Sequence, residues 1–139
     1  MAIRRTIDTQ IWYDSLFADK MTQNEKLLWF YCLSNTHNTL CGIAIIPLRV
    51  IAFESGFYVE DIEIMLDRFE NIYNITKYNK ENGELIVLNW DKYNWSKSLS
   101  VKQSIEKQIK DIKTKEFKDI IIEKINNYIW SDKPSKKST

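Results

Sequence analysis

The chain has 139 residues, of which 44% are hydrophobic, 28% charged and 13% aromatic, and this is the composition of a globular domain. It excludes a chain that is disordered throughout, and the presence of only 3 Gly and 2 Pro argues against collagen-like, linker-like and turn-dense all-β structures. The net charge is +1, but residues 1–95 carry 9 basic and 13 acidic side chains, whereas residues 96–139 carry 11 and 6. An acidic body therefore precedes a basic tail, and any prediction of nucleic-acid binding has to be reconciled with this asymmetry.

The sequence contains no membrane or export signal. No stretch approaches the ~20 consecutive apolar residues of a membrane-spanning helix, and no apolar segment comes after the N-terminal arginines as in a signal peptide. Cys32 and Cys41 lack the spacing of metal ligands and favour free thiols in a reducing compartment, or at most one disulfide bond. Cys32 is expected in the core, and an exposed position is left open for Cys41. We therefore expect a cytoplasmic protein with no membrane partner.

The N-terminal part of the chain predicts an arm followed by a helix. Residues 1–21 are expected to form an irregular arm with a short helical turn. Thr22 and Glu25 have the spacing of a capping box, in which each side chain bonds to the backbone N–H of the other. They predict a helix that continues to about Ser34.

A short strand and two further helices are predicted next. The β-branched apolar run over residues 42–46 predicts a brief strand, and Pro47 and Gly56 are typical of the start and the stop of a second helix. A third helix is predicted over residues 59–71. Its buried face consists of apolar residues at helical spacing, namely Ile62, Met65, Leu66 and Phe69.

The segment after the third helix predicts a hairpin. Residues 75–79 and 84–90 are expected to be strands, and the Asn82-Gly83 pair between them predicts a tight turn because both residues tolerate positive φ. The second strand is apolar on both faces and is therefore expected to be covered on both sides. The order of elements predicts a mainly α fold with a small β-hairpin, a winged helix-turn-helix of the α+β class in which the hairpin is the wing.

The basic tail predicts a helical extension. In residues 96–130 apolar side chains recur every three or four positions, with a change of register near Thr114, and this predicts one long or two shorter amphipathic helices. The apolar stripe is expected to pack on the body or to form a homodimer through residues 97–130, with DNA contact by its lysines as a secondary effect. The polar residues 131–139 are expected to be disordered, and residues 1–95 form the winged helix-turn-helix domain with its arm.

Four segments carry a resemblance to a known family: IDTQIWYDSLF, NEKLLWFYCLSN, GIAIIPLRVIAFESGFYVEDIEIMLDRFE and NITKYNKENGELIVLNWDKYN. In this order they resemble the N-terminal winged-helix domain of the DnaD-like replisome organisers, replication initiation proteins carried by phages of low-GC Gram-positive bacteria. The tail segment VKQSIEKQIKDIKTKEF is similar to the stretch that comes after this domain in that family. The resemblance implies a cytoplasmic phage or prophage protein that binds DNA at a replication origin and helps to assemble host replication proteins.

The charges of the predicted winged helix are unusual for a DNA reader. The third helix is acidic at its non-core positions, and the face that we expect to contact a protein consists of Glu60, Asp61, Glu63, Asp67 and Glu70. Because duplex DNA carries about one phosphate charge per 1.7 Å of its axis, these carboxylates disfavour reading of the major groove by this helix. The basic side chains that we expect to hold DNA phosphates lie elsewhere, and they are Arg4, Arg5, Arg49, Lys77, Lys80 and Lys92. The alternative is a scatter of solubilising charges around core aromatics.

No pattern in the sequence predicts catalysis or a cofactor. The glycines at positions 42, 56 and 83 form no phosphate-binding loop, and His37, the single histidine, is expected in a surface loop rather than at a metal. We favour a non-enzymatic protein of the replication-initiation type that binds double-stranded DNA or scaffolds replication proteins of the host or phage. The alternative is an interaction module or inhibitor of a host defence or replication protein whose acidic helix mimics nucleic acid, and a dimeric transcriptional repressor is the third hypothesis.

Overall fold

Helices dominate the computed structural model, which describes residues 4–131, and this confirms the predicted mainly α fold with a small β component. The predicted hairpin and the short strand before the second helix form one three-stranded antiparallel sheet. The arm contains a 3₁₀ turn at Thr9–Tyr13 and a π-helical turn at Leu16–Lys20. The subsequent helices are α1 (Gln23–Ser34), α2 (Leu48–Ser55), α3 (Val59–Asn71), α4 (Trp90–Asn94), α5 (Leu99–Ile109) and α6 (Lys115–Asn127), and the strands are β1 (Ile43–Ile45), β2 (Thr76–Asn79) and β3 (Glu84–Val87).

The local signals for the first three helices are confirmed. The capping box starts α1, because the Glu25 N–H donates to Thr22 Oγ1 at 3.1 Å and the Thr22 N–H donates to Glu25 Oε1 at 2.9 Å. Pro47 is the N-cap of α2 rather than its first helical residue, and α2 stops at Gly56, whose φ of 86° lies in the left-handed region. Helix α3 buries the four predicted apolar side chains, and its acidic residues lie outside this buried face.

The sheet has the order β1-β3-β2, so that β3 lies in the centre. Leu85 of β3 pairs with Ala44 of β1 on one side and with Tyr78 of β2 on the other. All four residues of β3 are buried, which confirms the prediction that this strand is covered on both faces. The sequence of elements from α1 to β3, with an antiparallel hairpin after α3, is a winged-helix-like arrangement.

The predicted second strand of the hairpin extends too far. Strand β3 ends at Val87, and the chain then turns into α4. The reason is a long-range contact, since the indole N–H groups of Trp90 and Trp95 both donate to the carbonyl of Leu40, at 3.0 and 2.8 Å. These bonds hold α4 beneath the segment that leads into β1.

The hairpin itself is confirmed, but its turn differs from the predicted one. The loop covers residues 80–83, and among the residues described only Gly83 of this loop has a positive φ, of 78°. Asn82 instead uses its side-chain oxygen to accept the N–H of Glu84 at 2.9 Å. A Cβ on Gly83 would lie 3.2 Å from the backbone nitrogen of Pro47, so the wing packs closely on the start of α2.

The extension forms two helices, and its apolar stripe packs on the body of the same chain. Its buried side chains belong to the core that also contains those of the winged helix, and they are Ile105, Ile112, Phe117, Ile121 and Ile125. The C-terminal end adds an aromatic cluster in which Trp95 contacts Tyr128 and Trp130. The apolar stripe thus packs within the chain, and a homodimer through residues 97–130 stays a prediction. The predicted disordered tail lies outside the described residues except for Ser131, which forms a parallel bridge with Ser98.

Both cysteines are free thiols in the core, so the exposed position left open for Cys41 is wrong. Burial raises the pKa of Cys32 to about 12 and also raises the pKa of Cys41. The backbone N–H of Cys41 donates to Gln108 Oε1 at 2.9 Å, and this bond attaches α5 of the extension to the segment around Cys41. Among residues 4–131, no helix is long and apolar enough to cross a membrane.

Candidate functional site

The outward surface of α3 combines acidic residues with one apolar residue. Glu60, Ile64 and Asp67 recur at helical spacing on the same side of the helix, and Asp61 lies beside them. We call these four residues the outer face. All four are exposed, and Ile64 has 61% of its surface accessible although it is large and apolar. The only side-chain bond described for the three carboxylates is within the helix, from Asn71 Nδ2 to Asp67 Oδ1 at 2.8 Å.

The other two acidic residues of α3 lie against the wing, by which we mean β2, β3 and their loop. Lys80 Nζ lies 2.5 Å from Glu63 Oε2, and Lys77 Nζ lies 3.8 Å from Glu70 Oε2. Lys77 also lies 3.2 Å from Glu116 Oε2 at the start of α6. The predicted protein-contact face is therefore divided, and two of the predicted phosphate contacts are brought onto it as ion-pair partners.

The wing is also fixed at its tip by the extension. Glu84 is 1% exposed, and its two carboxylate oxygens accept the backbone N–H groups of Lys113 and Thr114, each at 2.8 Å. The side-chain amides of Asn79 and Asn82 donate to Thr114 Oγ1 at 2.9 and 3.0 Å. Sequence reasoning missed this contact, although a carboxylate inside an apolar strand is a signal, because a buried charge requires hydrogen-bond donors.

Strand β2 of the wing also contacts the segment that leads into α2. The hydroxyl of Tyr78 donates to the carbonyl of Ile46 at 2.7 Å. Burial and, to a smaller extent, the charge of Glu63 raise the pKa of Tyr78 to about 12, so this hydroxyl keeps its proton at neutral pH. The wing is thus held by α3 and by the segments that lead into α2 and α6.

The remaining four predicted phosphate contacts lie on the arm, α2 and α4. Arg5 donates through Nη2 to the carbonyl of Asn38 at 2.9 Å, and its guanidinium lies 5.7 Å from the ring centroid of Trp90. Arg4, Arg49 and Lys92 are exposed on the arm, α2 and α4, and none of the ion pairs within residues 4–131 includes them. The role of these three residues as phosphate contacts stays a prediction.

Arg68, the single basic residue of α3, is used inside the fold. Its Nε donates to Glu25 Oε2 at 2.5 Å, and the hydroxyl of Tyr73 donates to Glu25 Oε1 at 2.8 Å. Burial alone would raise the pKa of Glu25, but the bonds from the Thr22 N–H, Arg68 and Tyr73 outweigh it, and the net effect is a lowered pKa. This cluster fixes α3 on α1 and leaves the outer face without a cation of its own.

His37 lies half-buried in a cluster that connects the loop after α1 to α2. Its Nε2 lies 3.0 Å from both carboxylate oxygens of Glu54, and the hydroxyl of Tyr31 donates to Glu54 Oε1 at 2.5 Å. The bonds from Tyr31 and His37 lower the pKa of Glu54. His37 lies in a loop, as predicted, but it is half-buried, so the prediction of a surface position is confirmed only in part. In residues 4–131, no group of three or more His, Cys, Asp or Glu side chains could hold a metal ion.

A cleft of about 260 Å³ lies between the arm and the body, with Phe17, Trp29 and Trp90 among its walls. The two carboxylates at this cleft cap the turns of the arm, since Asp8 accepts the N–H of Gln10 and Asp14 accepts the N–H of Leu16, each at 2.9 Å. Their positions are therefore explained by the local structure of the arm.

The described residues thus offer an acidic surface with an apolar centre on α3 and a wing whose charges are used within the fold. Exposed carboxylates attract basic groups, and an exposed isoleucine adds apolar contact area. Comparisons of the chain with models of protein families, with curated proteins and with solved structures found no match.

Proposed function

We propose that this chain is a non-enzymatic interaction module that presents the outer face of α3 to a basic surface of a partner protein. The observation that carries the proposal is the division of the acidic residues, because Glu63 and Glu70 have lysine partners on the wing, whereas none of the described ion pairs includes Glu60, Asp61 or Asp67. In winged helices that read DNA, the equivalent helix enters the major groove. Uncompensated carboxylates repel phosphates there, but they complement lysine and arginine on a protein.

The sequence resemblance supports the class of partner. The DnaD-like replisome organisers imply a protein that assembles replication proteins in the bacterial cytoplasm, and proteins that handle nucleic acid carry basic surfaces. We propose that the partner is such a basic protein, from either the host or the phage, and that this chain acts as a scaffold or an inhibitor by occupying its basic surface.

Direct DNA binding is the less favoured proposal. Lys77 and Lys80 would have to leave their carboxylate partners before they could bind phosphates, whereas Arg4, Arg49 and Lys92 are absent from the described ion pairs. A gel-shift series with random duplex DNA tests this point, since phosphate-held complexes weaken steeply with salt. We expect no shifted band even at ~50 mM salt. A band that the Lys77→Glu and Lys80→Glu variants abolish would overturn the proposal.

Octalysine is a simple probe for the acidic face. We expect calorimetric titration at low salt to detect binding to the native chain, and we expect the triple variant Glu60→Gln, Asp61→Asn, Asp67→Asn to lose most of it. The matched control neutralises three exposed acidic residues of the extension that are absent from the described ion pairs, namely Glu106→Gln, Asp111→Asn and Glu123→Gln. An equal loss in the control would mean that net charge alone governs binding and would contradict the proposal.

A further inference from the structure

Four large apolar side chains of the helix-turn-helix unit are exposed, namely Ile72 at the C-cap of α3 and three that lie nearer the turn. Phe53 in the last turn of α2 is 88% exposed, Tyr58 at the N-cap of α3 is 79% exposed, and Ile64 on the outer face is 61% exposed. Single exposed apolar residues are common on protein surfaces. Three of this size lie in one helix-turn-helix unit whose two helices pack on each other, and we refer to them together as the apolar patch. Large exposed apolar side chains in one unit are typical of an interaction site.

The scaffold presents these side chains rigidly. Gly56 ends α2 in the left-handed conformation, and its N–H donates to the carbonyl of Ala52 at 2.9 Å. Helix α3 starts at once, since the carbonyl of Tyr58 accepts the N–H of Ile62 at 3.1 Å. Glu54, next to Phe53 in sequence, is held by Tyr31 and His37. A patch on a fixed turn loses little conformational entropy when it binds, which favours its use as an anchor.

The charges around the patch indicate which kind of partner it binds. The carboxylates of the outer face surround Ile64, and they are exposed and not paired with cations in the described structure. Two copies of this chain that met through the patch would bring these carboxylates together, and duplex DNA would bring phosphates to them, so both occupants are disfavoured. A segment with apolar side chains flanked by lysine or arginine complements both the apolar and the acidic part.

We infer that Phe53, Tyr58 and Ile64 form the apolar centre of the interface proposed above, and that they dock a basic amphipathic segment of the partner protein. This inference rests on the proposed function and adds the side chains that hold the partner. Aromatic anchors at the centre of an interface typically supply most of its affinity, whereas surrounding charges supply orientation and rate of association. The aromatic pair should therefore contribute more to affinity than any single carboxylate of α3.

The test compares two probes on the full chain. One is octalysine, and the other is an amphipathic helical peptide of leucine and lysine, about 14 residues long. At equal salt we expect the amphipathic peptide to bind the native chain about tenfold tighter or more, because only this peptide can use the apolar patch. We expect the double variant Phe53→Ser, Tyr58→Ser to bind both probes with the affinity of octalysine. Ile64→Thr should give a smaller loss in the same direction.

The control removes two exposed apolar side chains elsewhere, Tyr93→Ser and Ile129→Ser, which are 55% and 75% exposed. It should bind as the native chain does, and circular dichroism should show native helix content in every variant. Equal binding of both probes by the native chain, or an equal loss in the control, would overturn the inference while leaving the proposed function standing. Failure of both probes to bind would instead reject the proposed function. Sedimentation showing a native dimer that the Phe53, Tyr58 variant dissociates would overturn the inference in favour of self-association.

Discussion

The wing and the outer face of α3 are neighbours in the fold, but their charges are used differently. The two lysines of the wing contact carboxylates of α3 and α6, and the buried Glu84 holds the start of α6. On the outer face, by contrast, Glu60, Asp61 and Asp67 remain open to solvent. The comparison shows that the extension engages the wing through Lys77 and Glu84, whereas none of the described ion pairs includes a carboxylate of the outer face.

We expect the largest loss of stability from a substitution at the contact between the wing and the extension. Replacing the buried Glu84 by Ala leaves the N–H groups of Lys113 and Thr114 without an acceptor and opens a cavity, so we expect a loss of about 3 kcal/mol in the free energy of unfolding. Urea denaturation measures this loss. Glu84→Gln keeps one acceptor and the volume, and we expect about half the loss. An Ala variant as stable as the native chain would show that the wing is not held there.

The contact between α1 and α3 should give the next largest effect. Glu25→Ala removes the carboxylate half of the capping box and the partner of Arg68 and Tyr73, and we expect a loss of about 2 kcal/mol by urea denaturation at neutral pH. The outer face would then be less firmly positioned on the body. Thr22→Ser is the matched control, because it keeps the capping hydroxyl and should lower the free energy of unfolding only a little.

The same cluster predicts the acid response of the protein. Because the pKa of Glu25 in the folded chain lies below its ordinary value, its contribution to stability is complete above the ordinary value and is lost as the pH falls through the folded pKa. We expect the native chain to lose stability over this acidic range in urea titrations at stepped pH. Glu25→Gln should show a shallower decline, and an identical pH profile would contradict the assignment.

Reversal of a wing lysine should have a moderate effect. Lys77→Glu places a third carboxylate beside Glu70 and Glu116, and we expect a loss of about 1 kcal/mol that shrinks as salt is added. Lys97→Glu reverses an exposed charge that is absent from the described ion pairs and should leave stability nearly unchanged. Equal effects of the two reversals would mean that the wing lysine is not engaged.

We expect the smallest change in stability from substitutions on the outer face. The triple neutral variant of Glu60, Asp61 and Asp67 should change the free energy of unfolding by no more than about 0.5 kcal/mol, mainly through the dipole of α3. The same urea experiment applies. A loss of several times this size would show that the outer face supports the fold and is not reserved for a partner.

Local patterns predicted the parts of the fold that depend on neighbouring residues. The capping box, the stop at Gly56, the buried face of α3 and the hairpin all arise from contacts within a few positions of the chain, and all are confirmed. The predicted end of β3 was wrong, because the bonds from Trp90 and Trp95 to Leu40 connect residues that are 50 and 55 positions apart. Sequence spacing carries no information on such contacts.

For the candidate site, too, the sequence predicted local features but not the contacts between distant segments. The acidic residues of α3 and the basic residues of the wing were identified from the sequence, but which of them neutralise one another was not. Lys77 meets Glu116 from α6, and Glu84 meets the loop before that helix, only because the extension packs on the wing. A contact of this kind depends on the packing of the whole core rather than on spacing along one element.

The sequence by itself determined a mainly helical winged-helix-like fold and an acidic third helix, because periodicity, caps and turns act over short distances along the chain. Only the tertiary structure decided that the wing is closed by the extension and that Glu60, Asp61 and Asp67 remain uncompensated. The physical reason is that the availability of a charge depends on every group that folding brings within a few ångströms of it, and most of those groups are distant in sequence.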